Sequence, residues 1–357
     1  MFWDNSLLLD TLSKVRHKQG RLKGYMEALG FGVKSETKLH TLTLDVLKSS
    51  EIEGEVLDRA QVRSSIARQL GLEVAGLVPS DRHVDGVVQM MLDATQKATK
   101  PLSKARLCGW HSALFPTGRS GMYPITVGNW RKSGQGPMQV VSGALGKEKV
   151  HFEAPASGRL NKEMKKFLDW FNADKKMDPV LKSALAHFWF VTVHPFDDGN
   201  GRIARAIADL QLTRSDAEPS RFYSMSAQIR LDRKGYYDIL EKTQKGSTDI
   251  SGWMLWYLNC LDRALDTSDK NLQKVLDKTR FWDKHLNTEV NERQRKMINK
   301  LFDGFEGKLS TSKWARINKC SADTALRDIQ DLLNKKILKK EQAGGRSTSY
   351  ILKNAEQ

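Results

Sequence analysis

Residues 194 to 205 read HPFDDGNGRIAR and bring together a histidine, an acidic residue, a Gly-Asn-Gly turn and two arginines. An imidazole that titrates near neutral pH suits His194 to the uptake of a proton. Gly199, Asn200 and Gly201 let the backbone approach an anion closely and turn its N–H groups inward. Arg202 and Arg205, three positions apart, share one face if a helix starts here. These are the parts needed to hold a nucleotide polyphosphate and to remove a proton beside it. The flanking elements must position them. LKSALAHFWFVTV (181–193) is apolar almost all round and predicts a buried helix. RIARAIADLQL carries Ile203, Ala206, Ile207 and Leu210 at helical spacing, so the loop links two helices. Bare N–H groups at the start of the second helix make an anion site. The chain contains no G-x-x-x-x-G-K-[ST] loop, and the acidic turn lacks the glutamate that would close a calcium loop.

The window fits H-x-F-x-[DE]-G-N-G-R-x-x-R at every fixed position and so resembles the Fic family, named for filamentation induced by cAMP. The resemblance implies transfer of AMP from ATP to a Ser, Thr or Tyr hydroxyl of a target protein, with release of pyrophosphate. It makes His194 the general base and Asp198 the holder of Mg²⁺ between the α- and β-phosphates. Gly199, Asn200 and Gly201 become the phosphate cradle, Arg202 the β-phosphate ligand and Arg205 the γ-phosphate ligand. Phe196 reads as a core anchor for the loop. Residues 128–155, GNWRKSGQGPMQVVSGALGKEKVHFEAP, resemble the family's flap, which docks the target backbone. Val150, His151 and Phe152 predict a short strand there, although His151 reads equally well as an exposed hairpin residue. GYYDILEKTQ (235–244) resembles the segment that closes over adenine. Tyr236 or Tyr237 would meet the base, with at least one of them in the core.

A second segment, 42–70, holds Ser49-Ser50-Glu51-Ile52-Glu53-Gly54. Ser49 and Glu53 are four apart on one helix face, and Gly54 can end the helix with positive φ. Alone, this is a surface glutamate before a helix-ending glycine. Beside the first motif it resembles the family's inhibitory sequence [ST]-x-x-x-E-[GN], carried on a helix at about 37–54. The resemblance implies that Glu53 pairs with Arg205 and forces ATP into an unproductive pose. Two other functions stay open. One is removal of AMP, or use of another phosphodiester donor, by the same domain. The other is a DNA-binding regulator in which the domain only senses nucleotide.

The 357 residues allow two or three domains, and 39% hydrophobic with 28% charged residues fits a soluble globular protein. No apolar run approaches membrane-spanning length, and MFWDNSLLLDTL lacks a basic leader region. Cys108, Cys260 and Cys320 lie far apart, as thiols of a reducing cytoplasm would. Residues 1–35 predict a helical pair with a glycine stop near Gly30. Residues 36–268 predict a mainly α, Fic-type helical bundle with a small β-hairpin flap, in which Met90 and Met91 fill core. From 270 to 357 the count is 20 Lys/Arg against 11 Asp/Glu. Helix, helix, short turn, helix and a β-hairpin around the turn AGG resemble a winged helix-turn-helix across about 289–352. Thr324, Arg327 and Gln330 would face duplex DNA, with Arg346 in the wing. Asp323, Asp328 and Asp331 on the same helix weaken that case, and protein docking or dimerisation is the alternative. The expected partners are thus a target protein, the chain itself by auto-modification, and duplex DNA, with no membrane and a homodimer left open.

Overall fold

The computed structural model describes all residues except 28–29, 73–75, 133–136, 143–148, 174–176, 218–220, 303–304, 306, 342–347 and 354–357. It gives no side-chain positions for 31, 32, 142, 274, 275 and 279. Arg346 and the AGG turn therefore lie outside the described residues. The chain divides into two units, Met1–Ser268 and Asp269–Gln357.

The first unit is mainly helical. It opens with α1 (Asn5–Glu27), α2 (Phe31–Ile52), α3 (Arg59–Leu70), α4 (Arg82–Gln96) and α5 (Lys104–Leu114). Two short hairpins follow, β1 (Arg119–Ser120) with β2 (Tyr123–Pro124) and β3 (Gln139–Ser142) with β4 (Lys149–Glu153), both antiparallel. Next come α6 (Leu160–Asn172), α7 (Pro179–Val193), α8 (Asn200–Asp216), α9 (Met225–Leu231), α10 (Arg233–Lys245) and the first part of α11 (Ser251–Lys284), a helix that continues past Ser268. Among the described residues no helix is long and apolar enough to cross a membrane.

Residues 1–35 do not fold as a self-contained helical pair. One helix, α1, runs unbroken through Gly20 and Gly24 because Leu8, Val15, Leu22 and Met26 keep one buried stripe across them. A helical glycine costs about 1 kcal/mol, less than burying one such side chain contributes. Gly30 has φ −65° and caps the start of α2 instead of stopping a helix, so α2 begins ahead of residue 37.

The centre of the unit is α7 packed on α8. Asp178 caps α7 by accepting from the N–H groups of Val180 and Leu181, and Pro179 sits where its missing N–H costs nothing. Nearly every side chain of α7 is buried, as its predominantly apolar sequence requires. Polar contacts tie it to its neighbours. Ser183 donates to the Ala208 carbonyl at 2.9 Å, and Trp253 donates to the Ala184 carbonyl at 2.8 Å. The axis of α8 is thereby fixed against a rigid neighbour.

Helix α2 lies across α8 through a polar seam. Asp45 and Ser49 on α2 face Asp209 and Arg205 on α8, all four buried. Arg221 bridges the two carboxylates, 2.9 Å from Asp45 and 2.7 Å from Asp209. Burial and the neighbouring Asp209 push the Asp45 carboxyl up to about 7, while Arg221 pulls it down. Removing the cation would strand two buried carboxylates, a loss of roughly 3–5 kcal/mol. Arg221→Leu should therefore lower the denaturant midpoint of the unit sharply, and an unchanged midpoint would show that the seam carries no stability.

The second unit contains α12 (Glu292–Phe302), α13 (Thr311–Asn318), α14 (Ala322–Asn334), β5 (Leu338–Lys340) and β6 (Tyr350–Leu352). Its core is built from Met297, Ile298, Trp314, Ile329, Leu332, Ile337 and Tyr350. Ser310 and Ser321 cap α13 and α14, and β5 pairs antiparallel with β6. The acidic residues of α14 do not form one surface. Asp328 is buried and taken up by Arg293 at 2.8 Å and Asn291 at 2.9 Å, and Asp331 pairs with Lys335 at 2.6 Å. Asp323, Arg327 and Gln330 are exposed, whereas Thr324 is half-buried.

Candidate active site

The loop between α7 and α8 is held in one shape by its own residues. His194 ends α7 with φ 50°, a left-handed conformation that costs a non-glycine residue about 1–2 kcal/mol. Arg131 offsets that strain, since its Nε donates to the His194 carbonyl and its backbone N–H to the Pro195 carbonyl, each at 2.8 Å. The Asn200 side chain then closes the turn. It accepts from the Phe196 N–H at 3.0 Å and donates to the Phe196 carbonyl at 2.8 Å. The Asn200 amide is thus occupied by the loop, and only the backbone at this position faces a ligand. Phe196 is fully buried, as an anchor should be, and stacks on His111 with centroids 4.2 Å apart.

His111 and Arg131 are the supports that the sequence did not reveal. His111 lies on α5, its Nδ1 accepts from the Gly128 N–H and its Nε2 donates to the Asp198 carbonyl, each at 3.2 Å. Burial pushes this imidazole down to about 4, so it stays neutral in that one tautomer. The histidine sits in an ordinary helix pattern, and Arg131 in a segment legible only as flap. No local spacing marks either one.

The His194 ring is held in one tautomer. Its Nδ1 lies 3.2 Å from the Val191 carbonyl, to which it donates, leaving Nε2 to accept a proton. Burial drives the imidazole down to about 4, with Arg131 acting in the same direction and Asp198 and Glu53 opposing it. Beside it, Asp198 accepts from the Gly199 N–H at 2.5 Å and from the Ser120 hydroxyl on β1. Arg202, buried on the first turn of α8, lies over the Phe115 ring at 5.1 Å. Asp198 and Arg202 line a cleft of about 480 Å³ together with Glu53, Gly54, Glu55 and His83.

Arg205 points the other way, into α2. Its Nε donates to the Ser49 hydroxyl at 2.9 Å, and one terminal nitrogen donates to the Ser49 carbonyl at 2.9 Å and to Glu53 Oε1 at 2.7 Å. The end of α2 sets this geometry. Gly54, at φ 87°, turns the chain so that its N–H reaches the Glu51 carbonyl and the Glu55 N–H reaches the Ser50 carbonyl, each at 3.1 Å. Approach to α8 is so close that a Cβ on Gly201 would stand 2.2 Å from Glu53 Oε1. A side chain at this position would make the Glu53 carboxylate shift from its place on Arg205.

The two tyrosines separate. Tyr236 is buried at 1% exposure, with its hydroxyl 2.9 Å from His187 Nε2, so it belongs to the core and does not reach a nucleotide base. Tyr237 is half-buried and donates to Glu53 Oε2 at 3.3 Å. Burial, with Glu53 adding to it, pushes its hydroxyl up to about 12, which keeps it a donor. In the flap, the β3–β4 register skips one residue, with Val140 opposite Phe152 and Val141 opposite Val150. His151 is the residue left over. It is half-buried and its Nδ1 meets Glu241 of α10, so it ties the flap to the body and is not a free hairpin residue. Val150 is exposed and Phe152 half-buried.

Comparison with solved structures gives the architecture its class. A Fic family protein from Desulfovibrio desulfuricans G20 aligns over 100% of this chain and 98% of its own, with a TM-score of 0.56 at 19% identity. A Fic domain containing signaling protein from Bacteroides thetaiotaomicron VPI-5482 aligns over 73% and 97%, with a TM-score of 0.54 at 20% identity. The fold is the Fic fold. Residues 101–212 match the Fic/DOC family model, so the chain carries a Fic/DOC domain. Residues 1–72 match a domain of unknown function, DUF4172, which takes in α1, α2 and α3 and therefore Ser49, Glu53 and Gly54. Among curated relatives, the protein adenylyltransferase Fic of Culex quinquefasciatus is 34% identical over 114 residues, 31% of this chain and 21% of that protein. The protein of the same name from Drosophila willistoni is 26% identical over 232 residues, 62% of this chain and 40% of that one. The chain thus spans less than half the length of these relatives.

The depressed basicity of His194 has a direct test. A carbon-13 NMR titration of the labelled ring should show a midpoint near pH 4, leaving the imidazole neutral across the physiological range. A midpoint at the free-imidazole value, about 6.5, would show a solvated ring.

Proposed function

We propose that this chain is a protein adenylyltransferase that moves AMP from ATP to a hydroxyl of a target protein and is held idle by α2. The observation that carries the reading is the coincidence at one loop of a neutral His194, a helix N-terminus with two arginines, and a glutamate seated on the second arginine. In the reaction, the target hydroxyl oxygen attacks the α-phosphorus of ATP while His194 Nε2 takes its proton. The bond from the α-phosphorus to the bridging oxygen breaks, and pyrophosphate leaves. Arg202 and the backbone N–H groups at the start of α8 hold the charge of the β-phosphate, and Arg205, once released, that of the γ-phosphate. Val150 to Phe152 of the flap offer the target an extended backbone to align on.

Asp198 fits the magnesium role that the family implies, because its carboxylate opens on the cleft beside Arg202. Among the described residues no group of three or more His, Cys, Asp or Glu could hold a metal ion by itself, so substrate phosphates would complete the coordination. Bound there, Mg²⁺ supplies positive charge to the α- and β-phosphates. The free thiols of Cys108, Cys260 and Cys320 support a reducing, cytoplasmic setting.

A charge-assisted arginine–carboxylate contact contributes about 1.5–3 kcal/mol, which corresponds to roughly ten- to a hundred-fold suppression of productive binding. Glu53→Gly should raise incorporation of α-labelled ATP into protein by that order, with no incorporation from γ-labelled ATP. Adding Arg205→Ala should cancel the gain, and adding His194→Ala should abolish transfer while ATP still binds. Unchanged incorporation in Glu53→Gly would defeat the inhibitory role. Transfer that survives His194→Ala would remove it as the base.

The second unit supports a duplex DNA contact, with 20 Lys/Arg against 11 Asp/Glu from 270 to 357 and with Arg327 and Gln330 exposed on α14. Ion pairing of Asp328 and Asp331 removes part of the acidic objection. If the winged-helix reading holds, the full chain should shift duplex DNA with an affinity that falls steeply with salt and drops on Arg327→Ala. Absence of a shift at low salt would leave docking of a protein as the role of this unit.

A further inference from the structure

Glu53 is not the only carboxylate that α2 delivers to the phosphate site. The Schellman turn at Gly54 carries the chain back over α8, and the second residue past Glu53, Glu55, lands on the other arginine. Arg202, 6% exposed, donates from a terminal nitrogen to Glu55 Oε2 at 2.8 Å. The other carboxylate oxygen meets Nε2 of His83 on α4. Glu55 is therefore gripped from both sides and lines the cleft with Asp198 and Arg202. Partial burial raises the Glu55 carboxyl, but the His83 hydrogen bond and the Arg202 charge outweigh it and hold the group below its ordinary range.

We propose that Glu55, braced by His83, occupies the β-phosphate subsite and acts as a second, separate lock that weakens binding of any nucleotide carrying a β-phosphate. This deepens the adenylyltransferase reading and rests on it for one point, that Arg202 is the β-phosphate ligand. The two locks differ in kind. Glu53 holds Arg205, the ligand assigned to the γ-phosphate, so its removal changes how ATP sits. Glu55 holds Arg202, so its release changes whether a diphosphate is held at all. A carboxylate and a phosphate compete directly for the same guanidinium, because each presents two anionic oxygens to the same donors. The cleft also offers the incoming phosphate the Asp198 carboxylate, so two negative groups would stand there until Glu55 swings away. The His83 contact gives Glu55 a partner that keeps it poised over Arg202.

The test is calorimetric titration of the full chain with ADP and with AMP, which lacks the β-phosphate. Glu55→Gln keeps the shape of the side chain and removes its charge, and should tighten ADP binding by roughly ten-fold while leaving AMP affinity as in the parent. Glu55→Ala should do the same, and retained AMP binding shows that either variant is folded. His83→Ala should tighten ADP binding in the same direction by a smaller factor. ADP affinity that is unchanged in both Glu55 variants overturns the second lock alone. Equal tightening of ADP and AMP overturns it as well, since the effect would not depend on the β-phosphate. Failure of the parent and every variant to bind either nucleotide overturns both this inference and the adenylyltransferase reading.

Discussion

The guanidinium of Arg205 is the point on which the first unit depends. It is buried on α8, where an unpaired charge would cost several kcal/mol, and Ser49 of α2 and Glu53 at its C-cap take up its hydrogen bonds. Arg205 is thus a structural tie between the segment matched by DUF4172 and the one matched by the Fic/DOC model. Asp45, Ser49 and Glu53 follow one another along α2 at four-residue intervals, and Arg205 and Asp209 do so along α8. Helical periodicity lines these residues up along the seam, Glu53 pairs with Arg205 at one end, and Arg221, from outside both helices, joins the two like-charged carboxylates at the other.

The contact is graded along its length. Arg221, Asp45 and Asp209 lie deep and hold α2 in register. Glu53 and Glu55 lie at the open end, each about a third exposed, where water and an entering anion compete for their arginines. Stability is concentrated at one end of the contact and exchangeability at the other. Gly54 and Gly201 are the two positions that permit this. One turns the chain with positive φ, and the other gives the Glu53 carboxylate room that any Cβ would fill.

The loop of the site follows the same economy. Its strained residue, His194, is the one whose ring must face outward, and the strain is offset by groups that have no other task. Arg131 fixes the backbone, Asn200 closes the turn, and His111 holds the Asp198 carbonyl and the Phe196 ring. Depressed basicity in both His111 and His194 has burial as its largest cause.

The sequence by itself determined the elements and the reacting groups. A mostly apolar run of this length is too long for a buried strand, so α7 was legible as a helix, and Ile203 to Leu210 announced α8. Twelve contiguous residues placed His194, Asp198, Arg202 and Arg205 together because a loop and one helical turn leave them no room to part. Helical spacing also put Ser49 and Glu53 on one face. Tertiary structure decided everything that depends on which face meets which neighbour. Tyr236 and Tyr237 are adjacent in sequence, yet a step of 100° around α10 sends one into the core and the other beside Glu53. Asp328 counts as surface charge in a composition, but packing against α12 buries it on Arg293. Glu55 and Arg202 are 147 residues apart, and no periodicity links them. Their pairing exists only because a left-handed glycine turns α2's end over the start of α8, a contact that chain order cannot encode.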